Sequence, residues 1–270
     1  MYSVAISNKL IREAVPTDSK SSLVFLPMEF RVKYLLISLI QKETFEFEAI
    51  DITTPMFSEY FGLSWGGIQT KSLKNAIENL IESRYIIDGV VVKWLSDESY
   101  FADGNIHLKL DDSLSPYLLQ LKGNFTLYTY DAVSKFKSRY SYRIYEFLKS
   151  AEGMGFYKIS LSDAISLLGD NCCKTKNEFI KRVLSPALND INTCSDLRIK
   201  RRFYKPFGKP EQIWFSIRNK DDDTPSENIK YCDNLTSTSK KTDISDELLM
   251  PVDIEIDDKM RALIDSVKLD

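Results

Sequence analysis

The sequence predicts an α+β fold in which helices followed by a β-hairpin occur twice, and three observations carry that expectation. First, residues 177–217, NEFIKRVLSPALNDINTCSDLRIKRRFYKPFGKPEQIWFSI, read as an amphipathic helix running straight into a strongly basic hairpin. Such a pair can place one element in a DNA groove while the other grips phosphates beside it. Second, the same order occurs earlier, where helical spacing over residues 69–83 leads into the strand-like YIIDGVVVKWL. Third, charge is partitioned. Residues 137–218 hold 16 Lys and Arg against 8 Asp and Glu, residues 1–136 hold 13 against 17, and residues 219–270 hold 7 against 14. The net charge of −3 therefore hides a basic module behind an acidic tail. Helices that run into a hairpin form a winged helix. At 270 residues the chain suits two small domains plus an appendage. The expected architecture is two tandem winged-helix domains followed by a largely disordered acidic C-terminal tail: residues 1–130 for DNA contact or dimerisation, 131–218 as the main DNA-binding module, and 219–270 as the tail.

In chain order, PMEFRVKYLLISLIQK is a helix that buries Phe30, Leu35, Leu36, Leu39 and Ile40. A short helix opens at Thr54-Pro55, with Thr as N-cap and Pro at the first helical position, and stops at Gly62. The next, from about Gln69 to Ser83, buries Leu73, Ala76, Ile77, Leu80 and Ile81 and turns Lys71, Lys74, Asn75, Glu78 and Glu82 outward. Asp88-Gly89 between β-branched runs is a hairpin turn, because both turn positions need positive φ. Ile106 to Leu110 is a third strand, and FTLYTYDAVSKF connects to the second module. There SRYSYRIYEFLKS packs Tyr140, Ile144, Phe147 and Leu148, with Arg143 spaced to pair with Glu146. FYKIS is a short strand; Ser160 with Asp163 caps a short helix ended by Gly169, and Thr175 with Glu178 caps the next.

In that helix Phe179, Ile180, Val183, Leu184, Ala187, Leu188 and Ile191 face the core, leaving Asn177, Lys181, Arg182, Ser185 and Asn189 outward. Pro186 deletes one backbone hydrogen bond, at a cost of roughly 3 kcal/mol, so a kink is expected rather than two helices. The hairpin is LRIKRRFY and QIWFSIR. Leu197, Ile199 and Phe203 face in opposite Ile213, Phe215 and Ile217, while Arg198, Lys200 and Arg202 face out and Arg201 points awkwardly inward. Its tip, KPFGKP, carries Lys205 and Lys209. Beyond Asn219 the composition has too little apolar surface to offset ordering entropy and reads as a linker. Met260, Leu263, Ile264 and Val267 then allow a short amphipathic helix over 257–268 that forms on a partner.

Several classes are excluded. Cys172, Cys173, Cys194 and Cys232 contain no C-x-x-C pair and His107 is the one histidine, which argues against a zinc site or disulfide framework. GGIQTKS falls short of a phosphate loop because Thr70 stands where glycine must precede the lysine. No cofactor is implied. No apolar run of about 18 residues and no signal-peptide plan is present, so a cytoplasmic chain with no membrane partner is expected.

GNIHLKLDDSLSPYLLQLKGNFTLYTYDAVSKFKSRYSYRIYEFLKS, followed by the 179–217 block and preceded by the early VAISNKLIREA, resembles the replication initiator proteins of theta-replicating, iteron-containing bacterial plasmids. The resemblance spans roughly Val4 to Ile217 and is densest from Gly104 onward. It implies monomers that bind direct repeats (iterons) at a plasmid origin and promote its opening, dimers that repress the initiator's own gene, and recruitment of host initiator and helicase proteins. Carried onto this chain, the double-stranded DNA contacts are Lys174, Lys176, Asn177, Lys181, Arg182, Ser185 and Asn189 on the helix, and Arg198, Lys200, Arg202, Lys205 and Lys209 on the wing. Lys71, Lys74 and Asn75 are further candidates in the first module, and Val90 to Trp94 or Ile106 to Leu110 are the implied self-pairing strands. For Lys181 and Arg182 the competing view is a solvated helix face, whereas His107 is read as an ordinary surface or satisfied strand histidine.

The function expected is therefore origin binding and opening by a protein that is not an enzyme. A nicking initiator would need paired histidines holding a metal beside a nucleophilic tyrosine, which a lone His107 does not supply. The alternative is a dimeric winged-helix transcriptional repressor without a replication role.

Overall fold

The computed structural model describes residues 3–18, 21–40, 45–168, 173–205, 207–208 and 210–220. The expected linker from Asp221 and the amphipathic stretch at 257–268 lie outside these residues, as do Gly169, Cys172 and Lys209. The described elements begin with β1 (Ser3–Ser7), α1 (Asn8–Arg12), β2 (Val15–Pro16) and α2 (Pro27–Leu39). Pro27 opens α2, where its missing N–H costs nothing, and Glu29 accepts from the Leu26 N–H at 2.7 Å. The single buried face expected for α2 widens in the structure. Met28, Phe30, Val32, Lys33, Tyr34 and Ile37 are buried alongside Leu35 and Leu36, whereas Leu39 is 42% exposed. A helix apolar on nearly every side is a central one.

β3 (Ile50–Thr53), α3 (Thr54–Phe61) and α4 (Gly67–Glu82) follow. Thr53, not Thr54, is the N-cap of α3, and Gly62 ends it in the left-handed region at φ 59°. α4 buries Leu73, Ala76, Ile77 and Leu80 as spaced. β4 (Tyr85–Ile87) and β5 (Val90–Val92) form the expected hairpin, with φ of 53° at Asp88 and 77° at Gly89, and β2 extends it on the other edge.

The expected third strand departs from that plan. β6 (Tyr100–Ala102) and β7 (Asn105–Leu108) form a second hairpin around Asp103 and Gly104, at φ 50° and 81°, and β7 is the middle strand of the sheet β3-β7-β6. Because Ile106 and Leu108 are buried and β7 is paired on both sides, the Ile106 to Leu110 segment is not available for self-pairing.

After α5 (Ser115–Leu118), the segment expected to be a connector contains β8 (Phe125–Thr129) and α6 (Tyr130–Val133). β8 pairs antiparallel with β1, Val4 opposite Tyr128, joining positions over a hundred residues apart. α7 (Arg139–Lys149) is buried from Ser141 through Leu148. Asp190 receives the Lys137 and Ser138 N–H groups and the Ser141 hydroxyl at the start of that helix.

Glu146 on α7 pairs with Lys33 of α2 at 2.9 Å, both side chains almost fully buried, and it also accepts from the Tyr128 hydroxyl. Desolvation lowers the Lys33 pKa, opposed by the Glu146 charge. Lys33 thus replaces Arg143, the partner spacing suggested, because Lys33 reaches the carboxylate from the facing helix. The remaining elements are β9 (Phe156–Ser160), α8 (Leu161–Leu168), α9 (Lys176–Phe179), α10 (Ser185–Cys194), β10 (Leu197–Tyr204) and β11 (Gln212–Asn219), with sheet order β10-β11-β9.

Candidate nucleic-acid interface

The helix from Lys176 to Cys194 forms as spaced, with a change of pitch inside it. Thr175 accepts from the Glu178 N–H at 3.3 Å, and Glu178 accepts from the Lys174 N–H at 3.0 Å. The backbone N–H of Lys174, followed by Thr175, holds the Glu178 carboxyl below its ordinary pKa. Between α9 and α10, Ile180–Leu184 is a π-helical turn, closed by the Ser185 N–H on the Ile180 carbonyl. Pro186 then sits in the first turn of α10. The expectation of one helix holds; the wider turn accommodates the proline that lacks an N–H.

Phe179, Val183, Leu184, Ala187, Leu188 and Ile191 are buried, Ile180 is half-buried, and Asn177, Lys181, Arg182 and Asn189 are exposed. Lys181 and Arg182 lie on the π-turn itself. Ser185 is half-buried and accepts from Arg201 Nη2 at 3.1 Å, so its hydroxyl ties helix to hairpin. Lys176 is also half-buried, paired with Glu211 and 4.3 Å from the Phe203 ring centroid. Lys174 is exposed.

The hairpin follows the predicted alternation. Leu197 and Ile199 are buried opposite Asn219 and Ile217, and Phe203 faces Ile213. Arg201 shares their side; desolvation lowers its pKa, and its guanidinium carbon is 5.7 Å from the Phe203 ring centroid. Arg198, Lys200, Arg202 and Lys205 are exposed. Side chains directly opposite on paired strands share a face. Lys158 of β9, Trp214 of β11 and Arg202 of β10 therefore form one row, and Arg198 stands beside Arg218 in another. Lys158 and Arg218 were missed in the sequence, although their alternation with Tyr157, Ile159 and Ile217 carries the signal.

Polar clamps fix this sheet against the helices. The Asn192 side-chain amide donates to the Ile199 carbonyl at 2.9 Å and accepts its N–H at 2.6 Å. Lys149 bridges Asp196 and Glu152 at 2.7 and 2.6 Å, and the Tyr145 hydroxyl donates to Asp196. Lys181, Arg182, Arg198, Lys200, Arg202 and Lys205 are thus exposed cations on the helix and the hairpin, a charge that suits a polyanion.

Elsewhere, Lys71, Lys74 and Asn75 are exposed on α4, with Lys74 4.0 Å from Glu78. His107 is 2.7 Å from Asp51 and stacks on Tyr100. Among the described residues no group of three or more His, Cys, Asp or Glu is placed to hold a metal, and no helix is long and apolar enough to cross a membrane.

Residues 3–149 match the family described as Initiator Replication protein, WH1. A Replication initiation protein of Escherichia coli is 23% identical over 175 residues, covering 61% of this chain and 55% of that protein, so this chain spans about half the length of its relative. The crystal structure of domains 2 and 3 of RctB superposes with a TM-score of 0.44 at 10% identity, covering 72% of this chain and 81% of that one. The family match takes in more than half of the 270 residues, from β1 through the whole of α7, and so includes the buried pair between Lys33 and Glu146: the chain belongs to the initiator replication protein family.

Proposed function

We propose that this protein initiates plasmid replication by binding direct repeats at an origin and promoting local opening, through contacts and deformation without catalysis of its own. The observation that carries the reading is the exposure of Lys181 and Arg182 on a helical turn, followed by that of Arg198, Lys200 and Arg202 on the outward face of the next hairpin. On this reading both modules are winged helices: the first, residues 1–130, serves self-association and secondary DNA contact, the second, 131–218, is the main DNA-binding domain, and Glu146 on α7 of the second is tied to Lys33 of the first. The α9–α10 helix reads bases, with Lys181 and Arg182 foremost and Asn177 and Asn189 beside them. Arg198, Lys200, Arg202, Lys205 and Lys209 hold phosphates, which adds affinity and salt dependence without sequence choice. Lys174 contributes at the helix entrance, Lys176 and Ser185 act mainly by holding helix and hairpin together, and Lys71, Lys74 and Asn75 supply weaker contacts.

Self-pairing through β5 is supported by its position as a sheet edge and by Val90 and Val91, each 53% exposed. A dimer assembled there would repress the initiator's own gene, while monomers on adjacent repeats recruit host initiator and helicase on plasmid DNA in the bacterial cytoplasm. The test is a salt series of gel shifts on the DNA flanking the gene, paired with replication of a minimal-origin plasmid. Stepwise complexes and replication only when the protein is supplied are expected. Uniform affinity for random duplex contradicts DNA specificity, and specific binding to an inverted repeat without plasmid replication leaves the repressor reading in its place.

A further inference from the structure

We propose that Phe207, at the tip of the β10–β11 hairpin, is an aromatic wedge that enters the base stack of bound duplex DNA and kinks it. The inference rests on the DNA-binding reading and deepens it, by assigning the deformation of the duplex to one residue. Phe207 is fully exposed, at 105% of its reference area. The other aromatics of this hairpin are engaged: Phe215 is buried, Phe203 lies beneath the Lys176 ammonium, and Tyr204 meets Trp214 edge-on at 6.3 Å. The last paired positions are Tyr204 and Gln212, so Phe207 projects beyond the ladder. Gly208 turns the chain there at φ 69°, with nothing near enough to meet an added Cβ, so the glycine serves the turn and not packing.

The stem beneath this tip is anchored. Glu211 is held by Lys176, and its carbonyl accepts the Leu161 N–H at 2.8 Å. A fixed stem therefore presents a bare phenyl ring. A lone exposed aromatic is an ordinary surface feature. This one is flanked by exposed Lys205, Arg202 and Lys200, charge complementary to a phosphate backbone. Cations that bring a narrow hairpin into a groove leave its tip against the base edges. Proteins placed in this way insert apolar side chains between base steps and kink the duplex by about 20–90°. Pyrimidine–purine steps unstack most readily, so a TA or CA step is the expected point of entry. A step already unstacked is where strand opening starts.

The competing occupant is a second copy of this chain on the neighbouring repeat. The experiment uses the full-length protein, a duplex that it enriches from a randomised pool, and single-site duplexes carrying 2-aminopurine at successive positions, with bend measured by circular permutation. For Phe207→Ala, affinity falls by less than about tenfold because phosphate contacts dominate, while the bend decreases and the 2-aminopurine unstacking signal disappears; Phe207→Trp retains both. An unchanged bend and signal in Phe207→Ala overturns the wedge, as does a defect confined to cooperative binding on two repeats. Failure of the unmutated chain to enrich any duplex is a separate result, which removes the DNA-binding reading and the wedge with it.

Discussion

The β4–β5 and β10–β11 hairpins share a plan and differ in what they present. The β4–β5 hairpin turns through Asp88, whose carboxylate is paired with Lys9, and its outer strand exposes Val90 and Val91. The β10–β11 hairpin exposes Arg198, Lys200 and Arg202 and is clamped to the helix before it by Asn192 and Arg201. The helices preceding them differ in the same sense. α4 mixes Lys71 and Lys74 with Glu78 and Glu82, whereas the exposed π-turn between α9 and α10 carries Lys181 and Arg182 together. Hairpins of one plan thus present apolar surface in the first case and concentrated positive charge in the second. That contrast suits self-association for the first and a nucleic-acid footprint for the second.

The largest expected effect concerns how far the two modules fold as one. Glu146→Ala strands Lys33 as a buried, unpaired ammonium, which typically costs about 3–5 kcal/mol. For a body of this size that corresponds to a drop of roughly 6–20 °C in Tm. Calorimetry should show one shifted transition, and Lys33→Met combined with Glu146→Leu should recover most of the loss. A transition that splits, leaving the β10–β11 module unperturbed, would show that α7 does not tie the modules together.

The second prediction sharpens the charge contrast. Replacing Arg198, Lys200 and Arg202 together with Ala should reduce the slope of log affinity against log salt by about 2.7, at roughly 0.9 per phosphate contact, with sequence preference retained. The same measurement on Lys71→Ala, Lys74→Ala should move the slope less. Equal changes would erase the proposed division between modules.

The smallest effect is a pH dependence at the helix entrance. Glu178 has a depressed pKa in the folded protein, so its contribution to stability is present above its ordinary value of 4.5 and is lost as pH falls through that value and below. Glu178→Gln should flatten the acid limb of a denaturation series slightly. An unaltered limb would mean that the Lys174 and Thr175 hydrogen bonds to this carboxylate contribute nothing measurable.

Much of this contrast is local in origin and was legible in the sequence for that reason. Alternation in LRIKRRFY gives the limits of β10 and the inward placement of Arg201, and Asp88-Gly89 marks a turn whose left-handed positions are visible in two residues. Asp103-Gly104 carries the same signal, and the turn it makes sets β7 between β6 and β3. Other features are non-local. The pairing of β1 with β8 and the choice of Lys33 over Arg143 as partner for Glu146 depend on tertiary approach that no window of sequence contains. Pro186 announced a disturbance in its helix, while its resolution as a π-turn before the proline depends on packing on both sides. At the candidate interface, exposure of Lys181 and Arg182 follows from spacing alone. The diversion of Ser185 and Lys176 into the helix–hairpin contact required the fold.

On the proposed function, the exposed turn bearing Lys181 and Arg182 reads bases. The most direct measurement compares Lys181→Ala, Arg182→Ala with the unmutated protein for affinity to an origin repeat and to scrambled duplex at one salt concentration, with circular dichroism confirming the fold. The predicted result is a loss of about 1–3 kcal/mol of discrimination for each base contact removed, on the order of 5- to 150-fold, larger than the loss on scrambled duplex. An unchanged ratio of specific to non-specific affinity in a folded variant would contradict the assignment.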